Sequence, residues 1–195
     1  DALDTDYVIN NNLSGAYQAV SHLVSLGHRR IAHVTGPLQI SSVQERLAGY
    51  RKALEEAGLP FDRDLVVHAR LDMEGGSQVT GALFDRHPEI TAFFMYSDLL
   101  AIGALKALRC RRRKVPEDVS LVGYDDIVFA EFLEVPLTTV RQPIYEIGRK
   151  GMEVLLGLLQ EPEARRSRQH VVLEPQLVVR RSTSTPRSDA GVSRP

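Results

Sequence analysis

The sequence is poor in the features that mark secreted and membrane proteins. It contains a single cysteine, Cys110, so no disulfide can form within the chain and a reducing compartment is expected. No apolar run approaches the ~20 residues of a membrane-spanning helix. The N-terminal segment DALDTDYVINNN lacks the charged and apolar regions of a signal peptide. We therefore predict a cytoplasmic protein that does not contact the membrane.

Charge of either sign is not in excess. The 195 residues carry a formal net charge of −1, which gives no overall attraction to nucleic acid or to an anionic membrane. Hydrophobic residues make up 43% and charged residues 25%, which is close to ordinary globular usage. The length suffices for one large domain or two small ones with a real core.

The motifs of several enzyme classes are absent. There is no G-x-S-x-G nucleophile elbow, no P-loop and no G-x-G-x-x-G dinucleotide fingerprint. The six histidines show no H-x-x-x-H spacing. We therefore predict no catalytic residues, no cofactor and no metal. The basic run CRRRK is interpreted as the last turn of a helix rather than as a nucleic-acid patch.

Short apolar runs alternate with amphipathic segments along the chain. This alternation predicts βαβ units and an α/β fold, with a parallel sheet flanked by helices. The strands are continuous apolar runs, as expected when helices cover both faces of a sheet. The main strand candidates are RIAHVTG, DLVVHARL, TAFFMYS, VSLVGYD and LTTVRQP. From Ser182 the chain is rich in Ser, Thr, Pro and Arg, and we predict that residues 182–195 form a disordered tail.

Polar residues follow several of the predicted strands. In an open parallel sheet, ligands bind beyond the carboxyl ends of the strands, where such residues collect. They supply carboxylates, hydroxyls and two arginines, but no thiol and no histidine: Thr35, Ser41, Ser42, Arg46, Arg70, Asp72, Tyr96, Ser97, Asp98, Tyr124, Asp125 and Asp126. We therefore expect a site for a polar ligand at this edge.

The stretch VGYDDI places Asp125 and Asp126 side by side after a strand. Two carboxylates can act as an acid–base pair, as metal ligands or as hydrogen-bond acceptors, and aspartate is also common in turns. Adjacent residues at a strand end point in opposite directions, so only one can readily face a cleft. This favours Asp125 as an acceptor for ligand groups and Asp126 as support for the turn.

Arg46 lies one turn into a predicted helix, where a cation opposes the helix dipole. A solvated helix arginine is one explanation. A partner, either an acidic side chain or a ligand oxygen, is the other. The residues alone favour neither.

Six stretches in order resemble the successive signatures of the LacI/GalR (lactose-repressor) family of bacterial transcription regulators. They are GHRRIAHVTGP, ERLAGYRKAL, MYSDLLAIGALKAL, VPEDVSLVGYDDI, PLTTVRQP and LEPQLVVRRS. The resemblance runs from about Val8 to Ser182.

The resemblance implies an effector-binding region built like a periplasmic binding protein, in which a small ligand lies between two α/β subdomains joined by crossover strands. It implies that residues 28–138 and 169–181 form a nearly complete C-terminal subdomain. Residues 1–27 and 139–168 would belong to a partial N-terminal subdomain with the crossovers. The family's helix-turn-helix headpiece, which binds operator DNA, is expected outside this chain, and a homodimer is expected.

The resemblance also implies ligand-binding residues. Arg46 in ERLAGY and Asp125 in GYDD match the family's arginine and acidic residue that contact the effector. Ser97 stands where the family often has Asn, and Asn11 where it commonly has Asp. Asp98 is expected to cap the helix that follows.

Arg70 falls near the position of a pocket aromatic in the family, where it would replace a stacking surface by a cation. This suggests the hypothesis that the effector carries a carboxylate or a phosphate.

The sequence thus predicts the effector-sensing domain of a bacterial DNA-binding regulator. A sugar, sugar derivative or other small polar metabolite would bind between the subdomains and control operator binding. Two alternatives stay open: a periplasmic-type solute (sugar) binding protein with the same fold, and an α/β enzyme that uses Asp125 and Asp126 with a metal.

Overall fold

The computed structural model describes residues 5–160 and 168–187. Strands and helices alternate through most of these residues, as predicted. The strands and α-helices are β1 Tyr7–Asn10, α1 Asn12–Ser25, β2 Ile31–Thr35, α2 Ser41–Glu56, β3 Val66–His68, α3 Met73–Arg86, β4 Ala92–Met95, α4 Asp98–Cys110, β5 Ser120–Asp125, β6 Thr138–Arg141, α5 Ile144–Gln160, β7 His170–Leu173 and β8 Gln176–Val178.

A six-stranded sheet forms the centre of the molecule, in the order β3-β2-β4-β5-β6-β8. The first five strands pair in parallel, and β8 pairs antiparallel with β6. The predicted parallel sheet flanked by helices is therefore confirmed. Because parallel strands point the same way, the carboxyl ends of β2, β4 and β5 lie at one edge of the sheet.

Helices cover both faces of this sheet. Helices α1 and α2 pack on one face, against strand residues such as Ile31, Phe94 and Val122. Helices α3 and α4 pack on the other face, against the alternate residues, including Phe93 and Leu121. All five residues of β2 are buried, which explains why the strands read as continuous apolar runs.

Glycines allow each helix pair to approach closely. A Cβ at Gly49 of α2 would overlap the carbonyl oxygen of Leu13 in α1. A Cβ at Gly103 of α4 would overlap the carbonyl oxygen of Met73 in α3. At both contacts the two helix backbones are so close that only glycine fits.

A second, smaller unit contains β1, β7 and α5. Strands β1 and β7 pair in parallel, and α5 contacts both of them. Helix α5 is apolar on much of its surface, yet only Val154 among its residues is buried. Its exposed apolar side chains are Ile144, Tyr145, Met152, Leu155, Leu156, Leu158 and Leu159. Among the described residues, no helix is long and apolar enough to cross a membrane.

The predicted subdomain boundaries are wrong at two elements. Residues 1–27 were assigned to the partial N-terminal subdomain, but α1 buries Ala16, Val20 and Leu23 in the core beneath the six-stranded sheet. Residues 169–181 were assigned to the C-terminal subdomain, but β7 pairs with β1 in the smaller sheet. The boundary at 138/139 falls inside β6, all of which pairs in the six-stranded sheet, and the boundary at 168 stays a prediction.

The predicted tail is ordered in its first part. Ser182 is fully buried; its hydroxyl donates to the Leu121 carbonyl oxygen at 2.6 Å and accepts from the Thr138 amide at 2.8 Å. The Ser184 amide donates to Ser120 Oγ at 3.0 Å. The prediction of disorder is therefore wrong for residues 182–187, because these serines satisfy backbone groups at the start of β5 and β6. Residues 188–195 lie outside the described residues.

Candidate functional site

Arg46 of α2 lies at the carboxyl edge of the six-stranded sheet and is only 4% exposed. Its Nε donates to Asn12 Oδ1 at 3.0 Å and its Nη1 donates to the Tyr96 carbonyl oxygen at 2.5 Å. The guanidinium carbon lies 3.5 Å from the centroid of the Tyr124 ring and 4.4 Å from that of Tyr96. A cation so close to two aromatic rings is stabilised by their quadrupoles. Arg46 is therefore a fixed, buried cation and not a solvated helix residue.

Asp125 ends β5 beside this cation. Its Oδ1 lies 3.8 Å from Arg46 Nη1 and accepts a hydrogen bond from Gln142 Nε2 at 2.7 Å. Burial raises the pKa of Asp125, while the Arg46 guanidinium and the Gln142 amide act in the opposite direction. The side chain is still 28% exposed. The arrangement offers a carboxylate acceptor to solvent with a cation directly behind it.

Asp126 has different partners from Asp125. Its carboxylate is 7% exposed and pairs with Arg141 Nε at 2.5 Å and with Arg180 Nη2 at 2.7 Å. These ion pairs attach the turn after β5 to β6 and to the segment after β8. The two carboxylates thus belong to separate ion pairs, which does not resemble an acid–base pair. Among the described residues, no group of three or more His, Cys, Asp and Glu side chains is placed to hold a metal ion.

Two asparagines, Asn10 at the end of β1 and Asn12 at the start of α1, lie at the same site. Asn12 Nδ2 donates to Glu45 Oε2 at 2.8 Å, while its Oδ1 accepts from Arg46. Asn10 Nδ2 donates to the Tyr124 hydroxyl at 3.0 Å. The Oδ1 of Asn10 is buried and has no hydrogen-bond partner among the residues that the structure describes. Sequence reasoning did not choose these asparagines as site residues; the polar run INNN at the end of β1 was the signal.

Asn11 lies outside the Arg46 cluster. Its Oδ1 accepts from the Ser14 amide at 3.0 Å and caps α1. Its Nδ2 donates to Glu174 Oε1 at 2.7 Å. The structure therefore brings Asn12, and not the predicted Asn11, into contact with the buried arginine.

Ser97, and not Asp98, caps α4. Ser97 is the N-cap of α4, and its Oγ accepts from the Leu100 amide at 3.4 Å. Asp98 does not cap the helix, so that prediction is wrong. Its carboxylate is fully buried and accepts from Thr139 Oγ1 at 2.6 Å and from the Ile127 amide at 2.9 Å. Burial raises the pKa of Asp98 to about 7.

Arg70 is not part of the cluster. Its side chain is 72% exposed and pairs with Asp72, whose Oδ1 caps α3 by accepting from the Gly75 amide at 2.7 Å. The next residue, Leu71, packs against the hydrophobic core, and a Cβ at Gly36 would lie 2.8 Å from it. Leu71 therefore takes the inward position beside the end of β2, and the hypothesis of an anionic effector loses its structural support.

The Arg46–Asp125 cluster lies on an open edge. A groove of about 550 Å³ lies on another surface, beside α4, and is lined by residues such as Lys106, Arg109, Val115 and Leu133.

Comparison with known proteins identifies the family. Residues 20–183 match the model of the periplasmic binding protein-like domain. The chain is 41% identical over 182 residues to the HTH-type transcriptional regulator DegA of Bacillus subtilis, a match that covers 93% of this chain and 53% of that protein. The chain spans about half the length of the curated relatives it matches.

Solved structures agree with this relationship. The transcriptional regulator CelR in complex with cellobiose superposes with a TM-score of 0.86 at 40% identity, covering 91% of this chain and 54% of that one. A LacI-family regulator from Enterococcus faecium with bound ribose superposes with a TM-score of 0.84 at 32% identity, covering 93% and 66%. The predicted resemblance to LacI-family regulators is confirmed. The chain belongs to the periplasmic binding protein-like domain family, in the form found in LacI-family transcriptional regulators.

Proposed function

We propose that this chain is the effector-sensing region of a bacterial DNA-binding transcription regulator. A small polar effector, a sugar or a sugar derivative, binds at the Arg46–Asp125 cluster. The observation that carries this proposal is the pairing of a buried guanidinium, held by contacts within the protein, with a carboxylate that is still open to solvent. Binding at this edge alters the relative stability of two subdomain arrangements, and so alters contact with operator DNA.

The chemistry of the cluster suits a polyhydroxylated ligand. The Asp125 carboxylate accepts hydrogen bonds from hydroxyl groups, and such charge-assisted bonds are stronger than neutral ones. Arg46 has five N–H donors, and the contacts to Asn12 and Tyr96 use only part of that capacity. CelR and the Enterococcus faecium regulator, which were solved with cellobiose and with ribose, support a sugar as the first class to test.

The remaining proposals concern the whole protein. Operator DNA is contacted by a headpiece outside this chain, the protein acts in the cytoplasm, and it has no enzymatic activity. The named relatives are DNA-binding regulators, which favours this reading over a periplasmic solute-binding protein with the same fold.

We also propose that the protein is a homodimer. The short 3-10 turn that follows β5, Val128–Glu131, and the residue after it expose large apolar side chains: Val128 is 76%, Phe129 69% and Phe132 77% exposed. Leu99 on α4 is 40% exposed. A second copy of the chain is the occupant we propose for this surface, because operator recognition by paired headpieces requires two-fold symmetry.

A thermal-shift screen of the full-length protein against cellobiose, D-ribose, sugar acids and nucleosides tests the effector proposal. A compound present at about 100 times its dissociation constant is expected to add about 2.7 kcal/mol to the free energy of unfolding. Arg46→Lys is expected to reduce the shift, and Arg51→Lys on the exposed side of the same helix serves as the control. An equal shift in the protein and in Arg46→Lys would argue against this site.

A further inference from the structure

The turn after β5 holds the site's carboxylate in a backbone conformation that needs support. Asp125 has a φ of 116° and Asp126 a φ of 54°. Residues other than glycine rarely adopt positive φ, and they persist there only when surrounding contacts hold them. The direction of the Asp125 side chain therefore depends on groups outside the turn.

Asp98, at the first position of α4, supplies that support from two sides. Its Oδ2 accepts from the Ile127 amide at 2.9 Å, and its Oδ1 accepts from Thr139 Oγ1 of β6 at 2.6 Å. The backbone N–H of Asp98 in turn stabilises the charged form of Asp125. The start of α4 and the turn after β5 thus hold each other.

Gly123 of β5 provides the space for this contact. A Cβ at Gly123 would overlap Asp98 Oδ1 and lie 2.9 Å from a Leu137 methyl carbon. The glycine of VGYDD is therefore required by the Asp98 carboxylate, which lies directly on the strand backbone.

We propose that Asp98 is a positioning residue of the ligand site, whose carboxylate fixes the turn after β5 and thereby the direction in which Asp125 meets the ligand. The inference rests on the proposed function, in which Asp125 binds the effector. Aspartate is required because both carboxylate oxygens accept hydrogen bonds. An asparagine has one acceptor oxygen for the Ile127 amide, and its Nδ2 can only donate to the Thr139 hydroxyl, so both charge-assisted hydrogen bonds are lost.

The protonation state of Asp98 affects this support. Burial raises the pKa of its carboxyl, the hydrogen bonds from Thr139 and Ile127 act in the opposite direction, and the charges of Asp125 and Asp126 raise it further. A proton on this carboxyl removes an acceptor from the turn. The support is therefore expected to weaken as the pH falls through neutrality.

Three arginines face the two neighbouring carboxylates. Arg141 on β6 and Arg180 after β8 pair with Asp126, and Arg46 on α2 pairs with Asp125. Arginine side chains in general are not deprotonated in proteins. A titration of the turn near neutral pH therefore reports on Asp98 and not on these cations.

Hydrogen exchange at the Ile127 amide tests the proposal in the full-length protein without any ligand. Asp98→Asn is expected to speed this exchange about 10- to 100-fold, since the amide loses a hydrogen bond to a charged acceptor. Exchange in the amides of β4 separates this local effect from global destabilisation. Glu74→Gln, which removes an acidic group from the first turn of α3, is the matched control. Unchanged exchange at Ile127 in Asp98→Asn would overturn the proposal.

Two further variants keep the test informative if Asp98→Asn fails to fold. Thr139→Val removes one of the two donors to Asp98. Gly123→Ala displaces the carboxylate without removing its charge. Both are expected to speed exchange at Ile127 relative to the β4 amides; if neither does so, the proposal is wrong.

A ligand arm separates this inference from the proposed function. If cellobiose or D-ribose binds the wild-type protein, Asp98→Asn is expected to weaken binding about tenfold and to flatten its pH dependence between about pH 6 and 8. The same affinity and the same pH profile in the variant would contradict a positioning role. If neither sugar binds, the proposed effector class fails, while the exchange experiment still decides the role of Asp98.

Discussion

At the scale of single residues, the site depends on a buried cation, Arg46, whose charge is stabilised by groups of the protein itself. Arg46 is held by two hydrogen bonds and two aromatic rings, so the cost of its desolvation is offset within the protein. Because these partners come from α1 and from the ends of β4 and β5, the guanidinium also ties three elements together. The ligand meets a charge that is already oriented.

Two buried titratable side chains, Asp98 and His33, make the stability of the fold depend on pH. The pKa of Asp98 is raised to about 7, so the folded state binds this proton more tightly than the unfolded state does. The contribution of Asp98 to the free energy of unfolding is therefore fully present below about pH 4, and it is lost as the pH rises to about 7. His33 is fully buried and its pKa is lowered to about 4, so its contribution changes in the opposite direction, rising between about pH 4 and 6.5.

The two contributions oppose each other, so the difference between the protein and Asp98→Asn isolates the carboxyl group. Urea denaturation at a series of pH values is expected to show that the advantage of the wild type over Asp98→Asn shrinks from about pH 4 to 7. A difference that stays constant over this range would mean that the folded state does not raise the pKa of Asp98.

Sequence reasoning reached Asp125 from its place at a strand end and from the resemblance of GYDD to the family motif, whereas it reached Arg46 only from the resemblance of ERLAGY. It chose Asn11 where the structure uses Asn12, since in a run of three asparagines no pattern tells which one caps the helix and which one faces the arginine. It assigned the cap of α4 to Asp98 instead of Ser97, because both adjacent residue types are favoured as helix caps.

At the scale of elements, close helix packing leads to a second prediction. Gly49→Ala forces α1 and α2 apart, because its Cβ would overlap the Leu13 carbonyl oxygen. It is expected to lower the free energy of unfolding by about 2 kcal/mol. Gly148→Ala in α5 is the matched control: it meets no atom within 4 Å and is expected to be neutral or to add up to about 1 kcal/mol. Equal effects in chemical denaturation would show that α1 and α2 are not in close contact at Gly49.

The order of strands and helices could be predicted, because continuous apolar runs and amphipathic segments alternate clearly. The sheet on which α1 packs and the strand with which β7 pairs could not be predicted. An apolar stripe shows that α1 is buried but not on which sheet, and strand pairing in β7 depends on a partner more than 150 residues away in the chain. Both errors concern long-range contacts.

At the scale of the whole molecule, residues 182–187 stabilise the six-stranded sheet at the amino ends of β5 and β6. Ser182→Ala removes a fully buried hydroxyl that makes two hydrogen bonds to β5 and the start of β6. The loss is expected to cost about 1–3 kcal/mol, because both backbone partners stay buried. Ser25→Ala, at an exposed hydroxyl at the end of α1, is the control in thermal denaturation. A change no larger than that of the control would show that this segment does not hold the sheet.

The apolar surface formed by Val128, Phe129 and Phe132 is expected to be covered in solution. Phe129→Glu introduces a charge there and is expected to convert a dimer to a monomer, because a charge buried in an interface is strongly unfavourable. Met73→Glu, at an apolar residue of α3 that is 50% exposed, is expected to leave the assembly unchanged. Analytical ultracentrifugation of the full-length variants gives the mass; a wild-type monomer, or a dimer that persists in Phe129→Glu, would contradict this proposal.

Asp125, with Arg46 behind it, is the residue that we propose binds the effector. Calorimetric titration of the full-length protein with the compound that stabilises it most tests this claim directly, using Asp125→Asn and, as a control, Asp85→Asn on the outer face of α3. We predict at least about tenfold weaker binding in Asp125→Asn, because a charge-assisted hydrogen bond is lost, and unchanged binding in the control. Equal affinity in Asp125→Asn and the wild type would show that Asp125 does not bind the effector.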